Sequence, residues 1–493
     1  MKYLILILLA AASVYPQRLL TPFEKSGFSK STSHEEMLQF ISEVSLQKRT
    51  IRTDYIAESV QGRKIPVVKF SAAEFGTDNS KLKILIFSQQ HGNEPSGKEG
   101  MLMLLADMAE GKLDYILPQA DLAVIPMMNP DGNEAYTRRN GNNADLNRDH
   151  LIMMQPETQG LHQFYNKHQF EVNMDVHEYS PYSQSWTEFG YLKNSEVTVG
   201  TLTNMNIPEE MRAYQLTVYM PYIKQYISAQ GFSFEEYLPG GPPEKELIRR
   251  STYDINDGRQ SIGSLGAFSF IQEGMNGRDQ LDNLERRANG QHAGVRGFLM
   301  FAIKNKNQIK NLVENGRKSL IAGKPDSVAV QMTHALTGET RTMALLSVST
   351  GADTQVTVTN YRPVVQSRHS VAKPKGYLIP ADDEKLVSWT ERHGFTKEKY
   401  VPRKADIISA YTITGIDSID FEGDIVADAV TKSNEVKSAD LKKEYWLLTT
   451  NQLAGNVIAQ ALEPKSEIGL VTYKAFEYLL VKGEEYPVLR LER

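Results

Sequence analysis

The stretch from Ile84 to Pro95 reads ILIFSQQHGNEP, and it decides the fold. An apolar run leads to His91, and Glu94 follows three residues later, directly before a proline that can begin a helix. The pattern predicts a buried strand and then a turn into a helix, with an imidazole and a carboxylate at the carboxyl end of the strand. Open α/β sheets keep their sites at that end. Alone the pair is weak, because ten histidines would produce roughly half an H-x-x-E by chance.

A second polar cluster follows the next predicted strand. Residues 129–149 contain the segments NPDG, RRN and DLNRD, which combine arginines with several amide side chains. One interpretation is an ordinary polar surface loop. The other is a carboxylate-binding pocket, because a guanidinium group binds a carboxylate through two parallel hydrogen bonds and always stays charged.

A third segment, residues 172–177, alternates in polarity and ends at His177. A single histidine at a strand end is more often structural than a metal ligand. With His91 and Glu94 it would complete a three-ligand zinc centre that keeps one position open for water. Asp175 lies close enough in sequence to orient an imidazole of that centre.

A fourth segment, residues 267–274, is an aromatic-rich strand with Glu273 at its end. A poorly solvated carboxylate there would have its pKa raised towards the range of a general base. The alternative is an edge-strand glutamate that faces water.

The bulk composition narrows the class of protein. The chain has 493 residues, enough for two domains, and its formal net charge of −5 does not point to nucleic acid or an anionic membrane as partner. It has no cysteine, which excludes disulfides and thiolate ligands. Lys2 and the apolar residues 3–12 predict a signal peptide and hence a secreted or periplasmic protein. No segment is long and apolar enough to predict a membrane span.

Periodicity divides the rest of the chain. Strand patterns at residues 65–70, 84–87 and 122–127, with a helix between the last two, predict an α/β fold with a parallel sheet covered by helices. Residues 297–312 predict a closing helix, and short strand patterns recur after it. The predicted organisation is a signal peptide (1–16), a catalytic domain (17–315), a linker (316–326) and a β-rich C-terminal accessory domain (327–493).

In this order the motifs carry a resemblance. H-x-x-E, N-P-D-G, R-x-N, D-L-N-R, a strand-end histidine and F-x-x-E-G, spread over residues 21–306, resemble the M14 family of zinc metallocarboxypeptidases. Residues 376–380 (GYLIP) resemble part of the tails of exported bacterial members. The resemblance implies a mixed, mostly parallel sheet flanked by helices, with a smaller β-rich domain behind it.

The resemblance also implies roles for individual residues. One Zn²⁺ per chain would be bound, and a zinc-activated water would hydrolyse the C-terminal bond of peptides that carry a free carboxylate. The implied roles are as follows: zinc ligands His91, Glu94 and His177; general base Glu273 with Arg138 at the oxyanion; and substrate contacts Asn147, Arg148 and Tyr253, the last as a mobile cover.

Other functions stay open at this point. A related zinc fold hydrolyses small N-acyl amino acids and shares H-x-x-E and the Asn-Arg pair, but the R-x-N segment and the Tyr253 region favour peptides. A non-enzymatic binding module would normally have lost a ligand or the general base. Arg259 in the specificity loop is a candidate for selecting an acidic side chain. The sequence indicates neither the side-chain preference nor the oligomeric state.

Overall fold

The computed structural model describes residues 18–243, 245–421 and 423–492, so the predicted signal peptide lies outside the described residues. The strands of the first two thirds are β1 (Ile51–Glu58), β2 (Lys64–Phe70), β3 (Leu82–Ser88), β4 (Ala120–Ile125), β5 (Val172–Tyr179), β6 (Tyr191–Lys193), β7 (Val197–Gly200), β8 (Phe234–Glu236), β9 (Ile248–Arg249) and β10 (Phe268–Met275). The α-helices of the same part are α1 (Pro22–Lys25), α2 (His34–Gln47), α3 (Pro95–Ala109), α4 (Pro130–Ala135), α5 (Pro156–His168), α6 (Gln184–Phe189), α7 (Glu209–Tyr214), α8 (Met220–Ala229), α9 (Gly258–Gly263), α10 (Leu284–Lys304) and α11 (Lys306–Ile321).

An eight-stranded sheet in the order β1-β2-β4-β3-β5-β10-β7-β8 forms the centre of this part. Its middle strands β4, β3, β5 and β10 are parallel, while β1, β2 and the β10–β7 pair add antiparallel contacts. Ile84 and Ile86 pack into the apolar core under α2 and α3, whereas Leu85 and Phe87 pack into the core under α5. Both faces of β3 are thus buried, which explains its unbroken apolar run. The predicted α/β class with a mixed, mostly parallel sheet is confirmed.

Local sequence signals set the helix starts near the site. Ser33 caps α2: its hydroxyl accepts from the backbone N–H of Glu36, whose carboxylate accepts from the N–H of Ser33 at 2.9 Å. Helix α3 begins at Pro95, directly after Glu94, as predicted. The predicted closing helix proves longer, because α10 and α11 follow one another with a break at Asn305.

The last third of the chain is rich in β-structure, as predicted. Its strands are β11 (Ser327–Ala335), β12 (Arg341–Ser347), β13 (Asp353–Val358), β14 (Tyr361–Arg362), β15 (Val364–Ala372), β16 (Gly376–Pro380), β17 (Lys397–Lys399), β18 (Ile408–Phe421), β19 (Asp424–Val436), β20 (Tyr445–Thr449) and β21 (Leu489–Leu491). The largest sheet has the order β17-β20-β16-β21-β18-β19, and helices α12 (Glu384–His393) and α13 (Gly455–Leu462) pack beside it.

The predicted linker differs from the structure. Residues 316–321 are the last turns of α11, because Gly316 and Leu320 are buried and extend its apolar face. Sheets also cross the predicted boundary, since β12 pairs with β6 and β14 pairs with β9. The exact division into domains stays a prediction. Over the described ranges, no helix combines the length and apolarity that crossing a bilayer requires.

Candidate metal centre and catalytic cavity

Three predicted ligands come together at the carboxyl ends of neighbouring strands. His91 follows β3, Glu94 precedes α3, and His177 lies in β5. His91 Nδ1 is 2.7 Å from Glu94 Oε1, and His177 Nδ1 is 3.1 Å from Glu94 Oε2. The two Nδ1 atoms are 3.2 Å apart. All three side chains are buried, and one ligand atom from each lies within 4.8 Å of the others.

The donor set fits a zinc ion because each imidazole is oriented by a carboxylate on its far side. His91 Nε2 hydrogen-bonds Asp145 Oδ1 at 3.1 Å, and His177 Nε2 lies 2.9 Å from Asp175 Oδ1. These contacts favour the tautomer with the proton on Nε2, which leaves both Nδ1 lone pairs aimed at one point beside Glu94. Two histidine nitrogens and one carboxylate are the ligands of many catalytic zinc sites with an open position.

A cavity of about 280 Å³ opens at this cluster. Its lining combines the predicted site residues with side chains from the distal part of the chain. The residues that line it are His91, Glu94, Arg138, Asn147, Arg148, His177, Glu178, Tyr179, Ser180, Lys193, Asn194, Ser195, Thr198, Glu235, Glu236, Tyr237, Leu238, Pro239, Glu273, Met343, Ala344 and Leu345.

Glu273 faces the metal ligands because of strand register. In β10 it pairs with His177 of the parallel strand β5 and with Thr198 of the antiparallel strand β7. Its side chain lines the cavity and is buried. Burial raises the pKa of Glu273 to about 7; the carboxylate of Glu94 adds to the rise, and the charge of His177 opposes it. A carboxylate with that pKa can both take and return a proton near neutral pH.

Arg138 lies close to two of the three predicted metal ligands. Its Nη1 lies 3.2 Å from His91 Nδ1 and 3.6 Å from Glu94 Oε1. Its Nε donates to Asp145 Oδ2 at 2.9 Å, so Asp145 holds both the guanidinium and His91 in place. The guanidinium therefore points its donors at the cavity beside the cluster.

Asn147 and Arg148 lie in a short 3₁₀ turn, Leu146–Arg148, on the cavity wall. Asn147 Oδ1 accepts from the backbone N–H of Gly258 at 2.8 Å, which fixes the amide. Burial opposes the charge of Arg148, but the nearby carboxylates, first that of Asp254, raise its pKa above the usual range. Arg148 is thus a permanent cation in a partly enclosed cavity.

The structure does not bring Tyr253 to the cavity. Its ring is buried beside His334 at 5.2 Å, and its hydroxyl donates to the carbonyl of Met332 at 3.0 Å. Tyr237 lines the cavity in its place. The turn-rich segment LPGGPP that follows Tyr237 was the available signal, since mobile binding loops commonly carry such residues.

Arg259 does not line the cavity itself; its guanidinium lies over the ring of the cavity residue Tyr237, 5.7 Å from the ring centroid. Its guanidinium is fully buried and donates to Ser251 Oγ at 2.7 Å, Asp257 Oδ2 at 2.9 Å and the carbonyl of Thr252 at 3.2 Å. Those contacts hold the loop that precedes β10. The hypothesis that Arg259 selects an acidic side chain therefore has no geometric support.

Sequence reasoning missed the far wall of the cavity. Lys193 lines it, and its Nζ donates to the carbonyl of Leu238 at 2.6 Å. Burial lowers the pKa of Lys193 to about 8. The same wall is also lined by a strand about 150 positions further along the chain, through Met343, Ala344 and Leu345. No local sequence pattern predicted that these residues line the cavity.

Comparison with known proteins agrees with this geometry. Residues 37–217 match the family model for zinc carboxypeptidases of the M14 peptidases. Carboxypeptidase 2 of Trichophyton rubrum is 26% identical over 452 residues, which cover 88% of this chain and 82% of that protein. Carboxypeptidase E of Caenorhabditis elegans is 27% identical over 154 residues, which cover 25% of this chain and 33% of that protein.

Solved structures of carboxypeptidases align with part of the chain. The metallo-carboxypeptidase from Burkholderia cenocepacia aligns with a TM-score of 0.43 and 19% identity over 55% of this chain and 69% of that one. The family match and the long alignments with fungal carboxypeptidases are accompanied by a buried His-Glu-His cluster and a carboxylate in one cavity. Residues 37–217 of the chain are thus similar to the zinc carboxypeptidases of the M14 peptidases, and most of the chain is similar to fungal carboxypeptidases.

Proposed function

We propose that this metallocarboxypeptidase removes single residues from the free C-terminus of peptides, with one Zn²⁺ held by His91, Glu94 and His177 and with Glu273 as general base. The convergence of two Nδ1 atoms 3.2 Å apart on the Glu94 carboxylate, with Glu273 in register beside His177, carries the proposal. The alternative of a small-molecule amidase is not favoured, because the long alignments are with proteins named carboxypeptidases.

Each residue has a chemical task in this proposal. A bound Zn²⁺ would supply a Lewis acid that polarises the scissile carbonyl and lowers the pKa of water. Glu273 accepts a proton from the attacking water and delivers it to the leaving amine. Arg138 donates hydrogen bonds to the oxygen that becomes negative in the transition state, a type of interaction whose loss costs about 2.7–4 kcal/mol.

Selection of the chain end follows from charge. Arg148 presents a solvent-exposed cation to the cavity, and the fixed amide of Asn147 lies next to it. A C-terminal carboxylate that binds here gains a charge-assisted hydrogen bond from Arg148. An internal peptide bond carries no charge and cannot gain one. This difference supports exopeptidase rather than endopeptidase action.

We also propose that the protein is exported. Residues 1–16 combine a basic start with an apolar stretch and small residues, as signal peptides do. The lack of cysteine is compatible with that location, because no thiol would be exposed to oxidation.

Removing one ligand is expected to abolish zinc binding. Wild-type protein should contain about one Zn²⁺ per chain after dialysis, and His177→Ala should contain nearly none, because two ligands hold the ion far more weakly than three. Elemental analysis by mass spectrometry measures the content. His369→Ala, which changes a histidine outside the cluster, is the control and should keep the wild-type content. Equal zinc in both variants would remove His177 from the ligand set.

A further inference from the structure

One wall of the catalytic cavity comes from the C-terminal third of the chain. Strand β12 lies between β13 and β6, and it pairs with β6 through Leu345 opposite Lys193 and Ser347 opposite Tyr191. Strand β6 belongs to the front part of the chain and carries Lys193 into the cavity. The backbone of the C-terminal region is therefore hydrogen-bonded directly to a cavity-lining strand.

An apolar core locks this contact in place. Side chains from both sides of the predicted domain boundary are buried in one cluster, whose members are Trp186, Leu238, Ile248, Met343, Leu345, Val358 and Tyr361. Burial of apolar surface between two parts of a chain makes their relative position specific. Strand β12 is thus packed against the residues that form the cavity wall.

Ala344 has a different environment from its neighbours. All three residues line the cavity, but Met343 and Leu345 are buried in that cluster, whereas Ala344 is exposed. Because successive side chains in a strand point to opposite faces, the methyl group of Ala344 projects away from the cluster that contains Met343 and Leu345. A peptide in the cavity can therefore contact this position.

Ion pairs connect β12 to another part of the cavity lining. Arg341, at the start of β12, forms ion pairs with Glu235 and with Glu236, the latter at 3.2 Å. Glu236 is also held by Arg250 at 3.1 Å. Both glutamates line the cavity and directly precede Tyr237. Arg341 thus anchors the segment that carries the cavity tyrosine.

We propose that β12 is a specificity-determining wall of the active site, with Ala344 contacting peptide side chains next to the scissile bond and Arg341 positioning residues 235–239. The proposal rests on the proposed peptidase function. It assigns to the C-terminal region a direct part in substrate selection, in place of a separate accessory role.

Larger side chains at position 344 test whether β12 determines specificity. Ala344→Phe is expected to lower kcat/KM at least tenfold for peptides with bulky residues beside the scissile bond and less than threefold for peptides with glycine or alanine there. Ala344→Leu should give an intermediate loss. Thr342→Phe is the matched control, because Thr342 is exposed on the same face two residues away and does not line the cavity. Equal losses for all peptides, or the same profile in the control, would overturn the proposal.

A binding measurement separates this proposal from the peptidase function. In the Glu273→Gln background, calorimetric titration with the free-acid peptides Ala-Phe-Phe and Ala-Gly-Gly reports affinity without turnover. Ala344→Phe should weaken the first peptide at least tenfold more than the second. If this difference in affinity is found but the wild-type protein cleaves no peptide, the peptidase proposal is refuted. The proposal that β12 selects peptides then still stands. Unchanged affinities for both peptides would refute the proposal that β12 determines specificity.

The positioning role of Arg341 has its own test. Arg341→Met should release Glu235, leave Glu236 held by Arg250 alone and raise KM for bulky peptides at least fivefold, with kcat changed less than twofold. Arg341→Lys keeps a cation near both carboxylates and should restore at least half of the lost affinity. A purely structural role would lower active protein in both variants without a change in KM, and that outcome would remove Arg341 from the proposal.

Discussion

Glu273→Gln is expected to lower kcat about 10²–10⁴-fold while the protein keeps its zinc, because a glutamine of the same shape can neither accept nor return the proton. Burial already raises the pKa of Glu273 to about 7, so the neutral amide replaces a group that the fold holds near its protonation midpoint. Folding should therefore not suffer. Initial rates on free-acid peptides, with zinc content measured on the same samples, give the result.

The control for this substitution is Glu188→Gln, which changes an exposed carboxylate that does not line the cavity. It should leave both kcat and zinc content at wild-type values. A Glu273→Gln variant with full zinc and an undiminished kcat would eliminate Glu273 as the general base. Loss of zinc together with loss of rate would instead assign Glu273 to metal binding.

Arg148→Met is expected to abolish the preference for a free C-terminus. Losing a hydrogen bond to a charged group costs about 1.5–3 kcal/mol, or roughly 10-fold to 150-fold in kcat/KM for free-acid peptides. C-terminally amidated peptides lack the charge that Arg148 would bind, so their slow cleavage should change little. Pairs of free-acid and amidated peptides of one sequence, followed by mass spectrometry, measure the ratio directly.

Arg139→Met supplies the matched control, because Arg139 is an exposed neighbour in the same loop and donates to the carbonyl of Asn143. It should retain the wild-type ratio of free-acid to amide cleavage. The exopeptidase proposal fails if the wild-type enzyme cleaves both members of each pair equally well. It also fails if Arg148→Met keeps the wild-type ratio.

Local patterns were enough to predict much of the site. The apolar run before His91 predicted a strand, and Pro95 predicted the start of α3. Parallel neighbours bring their carboxyl ends to one edge of a sheet, so residues at those ends meet whatever the intervening chain does. His177 and Glu273 obey this rule, because their strands pair in register.

Residues in loops escaped the same reasoning. Tyr253 and Tyr237 both precede β10 in segments with little regular structure, and no periodicity distinguishes which one reaches the cavity. The C-terminal strands decide which tyrosine reaches the cavity. Tyr253 packs against them, and its hydroxyl donates to the carbonyl of Met332. The guanidinium of Arg259 is likewise held in the interior by its hydrogen bonds to Asp257 and Ser251.

The sequence by itself determined the α/β class, the zinc ligands as candidates and the chemistry that they imply, because these depend on short-range spacing and on the geometry of parallel strands. Only the tertiary structure decided which tyrosine lines the cavity and that Ala344 forms part of its wall. Those contacts join distant segments, Tyr253 with Met332 across 79 residues and β6 with β12 across more than a hundred, through tertiary contacts that no local pattern encodes.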